Sequence, residues 1–332
     1  MHSNNWCSFQ MISRRLLRIK ALIVLYAFNR KKGESVEAAE KELFISLKKS
    51  YDLYHLLLLL LIEIVDVAEE KIEIAKQKKI PTHEDLNPNT KFIDNRLIRQ
   101  LSENKQLKKY AEKEKLFWSD YSEIPRKYYD ILKNSDIYKE YMNSGKDSYA
   151  EDKKFVGKLL DLILMQSEEL ESVLEEKSIY WNDDLDFVSV MVDKTLRHFK
   201  ISTGPEHSLM PLYRSDEDEI FVKTLLRKTI INTDVLTDLI DRNTTNWEIE
   251  RVALMDALVM QLAITEIIEF PEIPVKVSLN EYIEIAKFYC TSKSSNFVNG
   301  ILDKIVKELR KKNMFTKEGR GLIGEEGNRN NN

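Results

Sequence analysis

The chain has nine glycines in 332 residues, and four of them, Gly319, Gly321, Gly324 and Gly327, fall in its last fourteen. Only five serve the first 318. Sheets and doubly wound folds turn at glycines and cradle phosphates with them. A chain this poor in glycine has few such turns, and the reading is an all-α fold. Hydrophobic residues at 43% supply a core, and 32% charged residues suit long solvated helices. The length leaves room for about two domains.

Helical periodicity sets the elements. Leu17, Ala21, Val24 and Phe28 form the buried stripe of a first helix over 13–29, with Arg14, Arg15 and Arg18 clustered on another face. Residues 35–80 read as one long helix, or two joined near Ser50, stopped by Pro81. The six leucines Leu56 to Leu61 lie between Asp52 and Glu63 and fall far short of the ~20 apolar residues that span a bilayer. They predict a buried helix segment inside a folded region. A loop is expected at 81–90. Helices are expected over 91–145, broken at Pro125 and Gly145, and then at 150–178 and 184–200. Gly204, Pro205 and Pro211 make 201–215 the clearest linker. Ser215 before the acids Asp216 to Glu219 is a good helix start, because acids offset the N-terminal dipole. Helices follow at 217–242 and 247–269. Ser278 and Glu281 have capping-box spacing and predict the opening of a helix ending near Tyr289. A last helix is expected at 294–312, with a disordered tail from Thr316. An internal repeat appears at an offset of 66. Phe155-Val156, Leu159-Leu160, Leu170 and Trp181 match Phe221-Val222, Leu225-Leu226, Leu236 and Trp247. Either a helical hairpin is duplicated or apolar helix spacing recurs by necessity.

Charge is unevenly spread. Residues 11–33 hold seven bases and no acid, and 293–313 hold six bases and two acids, within a chain of net charge −4. Two basic ends on an acidic body form a polyanion site if they meet in space, or ordinary basic helix faces if they do not. Cys7 and Cys290 carry no spacing pattern, which points to a reducing, cytoplasmic setting. No apolar signal core opens the chain, and Met11 is an alternative start. The motifs do not support an enzyme. Gly319, Gly321 and Gly324 match a dinucleotide fingerprint but lack the strand before and the helix after. The five histidines form no zinc spacing, and no nucleophile has a base at motif distance.

The last third carries the specific signal. Pro274-x-x-Val277-x-x-Asn280-Glu281-x-x-x-x-Ala286-Lys287, followed by Phe297-Val298-Asn299-Gly300-Ile301-Leu302-Asp303-Lys304, resembles the NusB family of bacterial antitermination factors. Arg14-Arg15-x-x-Arg18 through Leu25-Tyr26 is similar to that family's opening helix. The resemblance implies a NusB-like helical bundle with an additional helical insertion. The layout expected is a disordered leader at 1–10, the first helix at 11–33, the insertion at 34–212, the bundle core at 213–313 and a disordered tail at 314–332. The resemblance also implies binding of boxA-like single-stranded RNA in ribosomal RNA transcripts, with NusE, a small ribosomal subunit protein, in a transcription elongation complex. It implies no cofactor, no metal and no membrane.

Single-stranded RNA is held by cations on its phosphates and aromatics under its bases. Arg14, Arg15 and Arg18 fit the first role. Tyr289 and Phe297 flank a polar loop and fit the second, although Phe297 shares core spacing with Ile301 and Ile305. Lys293, Ser294, Asn296 and Asn299 are polar residues at a helix start whose free amides favour phosphate. Gly300, costing ~1 kcal/mol against Ala inside a helix, suggests a close backbone approach. Tyr26 and the acid Asp256 fall where the family places a tyrosine and an acid near RNA, and Tyr26 equally suits helix packing. Leu16 and Ile19 depart from the Arg or Glu frequent in relatives, and Asn296 stands where Lys is common. A helical scaffold that kept the fold without RNA binding is the alternative.

Overall fold

The computed structural model describes residues 13–31, 33–244 and 252–323. Among these there is no strand, and no helix is long and apolar enough to cross a membrane. The helices are α1 (Arg14–Arg30), α2 (Val36–Lys76), α3 (His83–Leu86), α4 (Arg96–Glu103), α5 (Lys105–Glu114), α6 (Glu123–Asn134), α7 (Asp136–Asn143) and α8 (Tyr149–Met165). They continue as α9 (Glu168–Lys177), α10 (Leu185–His198), α11 (Asp216–Ile231), α12 (Thr233–Thr244), α13 (Leu254–Glu269), α14 (Val275–Tyr289) and α15 (Ser294–Lys311). The chain divides into two compact units. Unit 1 holds 48–212, and unit 2 holds 12–47 with 213–332. The division falls inside α2, a single uninterrupted helix of 41 residues.

Unit 2 is built around α13. Every residue from Leu258 to Ile267 is buried, the pattern of a helix apolar on all sides and enclosed by others. It packs against α1, α11, α12, α14 and α15. The N-cap Ser13 starts α1 by accepting from the Leu16 amide at 3.2 Å. Its stripe of Leu17, Ala21, Leu22 and Leu25 is fully buried. The start of α2 is held by Glu40, which pairs with Arg227 of α11 through two guanidinium hydrogen bonds.

In unit 1 the leucine run of α2 is buried, apart from the half-buried Leu59. Trp118 covers it, donating its indole N–H to the Leu56 carbonyl at 3.0 Å. Helix α8 packs on α4, α6, α7 and α10. The repeat residues Phe155, Val156, Leu159, Leu160 and Leu170 are buried, as are Phe221, Val222, Leu225, Leu226 and Leu236. Trp181 is buried, and Trp247 lies outside the described residues. The same offset pairs two buried acids, Asp152 and Asp218. Each meets an arginine: Arg96 at 3.2 Å and Arg14 at 3.1 Å.

Several boundaries differ from the sequence reading. The stretch 81–90 contains α3, capped reciprocally by Thr82 and Asp85. The breaks within 91–145 include Asn104 and Ser135, whose side chains cap the next helix. Pro125 instead sits in the first turn of α6, where a missing N–H costs no helical bond. Helices end at Gln166 and Asn232 inside spans read as continuous. The expected linker is anchored to unit 1 as far as Met210. Tyr51 donates to the Met210 carbonyl at 2.8 Å, Asn104 to His207 at 2.7 Å, and the Lys105 amide to Pro205 at 2.9 Å.

Ser278 and Glu281 do not open a helix. Pro274 caps α14, and both residues lie inside it with tertiary partners. The tail is held to the body at Lys317, Glu318 and Gly321. Lys317 donates to the Ile267 and Phe270 carbonyls at 2.9 Å, closing the C-terminus of α13. A Cβ on Gly321 would collide with the Pro271 carbonyl oxygen, so glycine permits this contact. The leader 1–10 and residues 324–332 lie outside the described residues.

Candidate nucleic-acid interface

Arg14, Arg15 and Arg18 of α1 meet very different surroundings. Arg18 is 3% exposed. Its Nε and Nη2 donate to the two oxygens of Glu266, each at 2.7 Å. Glu266 is fully buried and accepts further bonds from Ser278 Oγ at 2.8 Å and Tyr282 OH at 3.0 Å. Each carboxylate oxygen thus receives two donors, as burial of a charge requires. Burial works to lower the Arg18 pKa, but the Glu266 hydrogen bonds and charge outweigh it, and the net shift is upward. Burial likewise pushes the Tyr282 phenol well up, with the Glu266 charge adding to it. Arg18 is therefore a core group of α1, α13 and α14 and is turned away from any ligand.

Arg14 lies over the Phe221 ring at 4.9 Å and donates to the buried Asp218 at 3.1 Å. Asp218 also accepts the Arg214 amide at 3.3 Å. Arg15 is the accessible one. Its side chain is 50% exposed, and it grips Glu281 of α14 through two hydrogen bonds of 2.8 Å. These bonds hold the Glu281 carboxyl below its ordinary range and raise the Arg15 pKa.

A second cluster forms where three helix ends converge: the start of α13, the end of α14 and the start of α15. Asp256 is 7% exposed and accepts from Ser294 Oγ at 3.0 Å. Ser294 in turn bonds Thr291 Oγ1 at 2.8 Å. The Cys290 thiol faces Asp256, and burial, with help from that carboxylate, pushes it up to about 12. A thiol so shifted stays protonated and is a poor nucleophile. Asp256 and Glu266 are ten residues apart on α13, so this cluster and the arginines are separated by roughly 15 Å at 1.5 Å per residue.

Around the second cluster, Lys293 and Asn296 are exposed, Tyr289 and Gly300 are half-buried, and Ser294 is buried. Asn299 is exposed and lines a groove of about 300 Å³ between α14 and α15, with Lys276, Asn280, Lys307 and Ile323. Phe297 is 7% exposed and belongs to the core stripe with Ile301 and Ile305, so it offers no open ring face. The accessible ring is one that sequence reasoning passed over: Phe288 is 80% exposed on the last turn of α14. Its place nearly opposite the buried Ala286 on α14 was the available signal. On α1, Tyr26 is 37% exposed. Among the described residues, no group of three or more His, Cys, Asp or Glu is placed to hold a metal ion.

Residues 203–307 match the NusB family. A transcription antitermination protein NusB of Salinibacter ruber is 40% identical over 120 residues, which are 36% of this chain and 75% of that protein. The chain belongs to the NusB family. Its NusB relative from Chloroherpeton thalassium is 43% identical over 103 residues, 31% of this chain and 49% of that protein. The NusB protein of Alkaliphilus oremlandii is 36% identical over 103 residues, 31% of this chain and 75% of that protein. No solved structure matches. The NusB match contains α11 to α14 and most of α15, and so the whole Asp256–Ser294 cluster and Glu281. Unit 1 lies almost entirely before it.

Proposed function

We propose that this chain is a transcription antitermination factor that binds boxA-like single-stranded RNA in ribosomal RNA transcripts together with NusE, within the cytoplasmic elongation complex, and without catalysis. The observation that carries the reading is the similarity to three antitermination proteins of the NusB family, together with the family match at residues 203–307. The site chemistry agrees with it. Lys293, Asn296 and Asn299 offer accessible polar groups beside the N-terminus of α15, where a phosphate is favoured. Tyr289 and Tyr26 supply partly open rings for bases. Ser294 donates to the buried Asp256 carboxylate and braces the start of α15, the helix that also carries Gly300. Arg15 and Arg14 are the candidates for phosphate on α1, and Arg18 holds α1 in place. In this reading 11–33 and 213–313 form the NusB bundle, and 34–212 is an addition to it.

A scaffold without RNA binding is the second reading. It is favoured by one observation: Arg14, Arg15 and Arg18 already face carboxylates. Titration of labelled boxA-like RNA, with and without NusE, separates the two. The expected result is binding that weakens with salt and tightens when NusE is present, and linkage then requires RNA to tighten the protein pair by the same factor. Absence of binding with NusE present leaves the scaffold.

A further inference from the structure

We infer that Glu281 is a built-in competitor for RNA phosphate at Arg15, and that Arg18 receives its carboxylate when RNA binds. This rests on the RNA reading above. The three arginine pairs are not equivalent. The partners of Arg18 and Arg14 are buried, Glu266 at 0% and Asp218 at 5%, and each has further donors that fix it. The Arg15–Glu281 pair is open to water, with side chains 50% and 22% exposed. Its two parallel hydrogen bonds reproduce the way a guanidinium grips two phosphate oxygens, so a phosphate can take the carboxylate's place without Arg15 changing its geometry.

The displaced acid has somewhere to go. Arg18 Nη1 stands 3.8 Å from the same Glu281 Oε2 that accepts from Arg15 Nε. Glu281 thus sits between two cations, one exposed and one buried. Surrendering the first leaves it beside the second, so exchange does not strand a half-buried charge. No covalent step is involved; one anion replaces another. Two consequences follow for binding. Affinity is lower than a free arginine would give, and salt dependence is shallower, because Arg15 is already partly neutralised before RNA arrives.

The test uses the full-length chain and labelled boxA-like RNA, with Glu281→Gln, Arg15→Ala and the double variant. Glu281→Gln is expected to bind roughly 2- to 5-fold tighter, the scale of a partly exposed ion pair. Its logarithmic salt slope should steepen by about 0.7, one further phosphate contact on a single strand. In the Arg15→Ala background the same substitution should change nothing. Helicity by circular dichroism checks the fold, and Glu281→Asp, which keeps the charge but shortens the reach, should fall between parent and Gln variant. If the parent binds RNA and folded Glu281→Gln binds equally or more weakly, the competitor role is wrong and the RNA reading stands. If neither protein binds RNA, the RNA reading falls and takes this inference with it.

Discussion

Arg18 in unit 2 and His55 in unit 1 are both titratable groups buried in helical cores, and the two cores treat them in opposite ways. Arg18 keeps its charge because Glu266, Ser278 and Tyr282 surround one carboxylate with four donors. His55 is fully buried and bonds the Tyr51 carbonyl through Nδ1 at 2.9 Å, while Nε2 is buried with no partner. Aromatic rings enclose it: Tyr110 stacks at 3.9 Å, and Tyr51 and Tyr54 present edges at 4.4 and 5.1 Å. Burial drives its pKa down to about 4, against weaker upward pulls from the Tyr51 bond and Asp52. The contrast teaches that Arg18 keeps its charge where every acceptor position of its partner carboxylate is filled, whereas His55, with one ring nitrogen unmet, stays neutral.

The strongest way to break the comparison is to remove one side of the satisfied pair. Glu266→Ala leaves the Arg18 guanidinium buried without its acid and should destabilise unit 2 by about 3–5 kcal/mol. Replacing both, Arg18→Met with Glu266→Leu, should cost much less than either single change, because no charge is stranded. Denaturant unfolding of the four proteins measures this. Equal losses for single and double variants would mean that α1 packing, rather than the charge pair, carries the stability.

The next effect belongs to pH. An unfolded histidine titrates near 6.5, and folded His55 near 4. Between those values the unfolded chain binds a proton that the folded one refuses. Stability of unit 1 is therefore fully present above about pH 6.5 and falls as pH drops toward 4, by roughly 2–3 kcal/mol over the window. The charged groups nearby are Asp52, paired with Lys48 and Lys49, and Asp52 also accepts from Tyr110. Trp118 and Trp181 both lie in unit 1, so tryptophan fluorescence can follow its unfolding. His55→Leu should flatten the pH slope. An unchanged slope would assign the acid sensitivity to the carboxylates.

How much of this was legible in the sequence differs between the two units. Glycine scarcity and apolar periodicity are local, and they suffice for an all-α chain and for helices such as α1, α2 and α15. Helix ends at Asn95, Asn104 and Ser135 were not legible, since a polar residue on a helix surface and an N-cap look alike until the backbone turns. Ser278 and Glu281 show the converse. Their spacing satisfies a local capping rule, but tertiary partners claimed both. The burial of Arg18 could not be read at all, because Glu266 lies 248 residues away. The repeat was legible through its apolar residues, while the equivalence of Asp152 and Asp218 emerged only when each was seen to hold an arginine. In the candidate site, the motif led to 289–300, but helix phase decided that Phe297 faces inward and Phe288 outward.

The smallest expected effect sharpens the comparison within a single helix. Arg15 and Arg18 are one turn apart on α1 and both meet a carboxylate with two hydrogen bonds, yet they should separate stability from binding. Arg15→Ala removes a pair half open to water, where screening and side-chain entropy leave little net energy, so its cost in stability should stay below about 1 kcal/mol. Glu281 is not left uncompensated, since Arg18 remains 3.8 Å away. The same change should weaken boxA-like RNA and unrelated single strands by similar factors, because a phosphate contact positions a strand without reading its bases. Substitution of Tyr289, by contrast, should discriminate between sequences if its ring meets a base. Comparing melting temperature and RNA affinity for Arg15→Ala and Arg18→Ala tests the separation directly. If Arg15→Ala melts as early as Arg18→Ala, the exposed pair is as structural as the buried one. The phosphate role assigned to Arg15 would then have no support in its exposure.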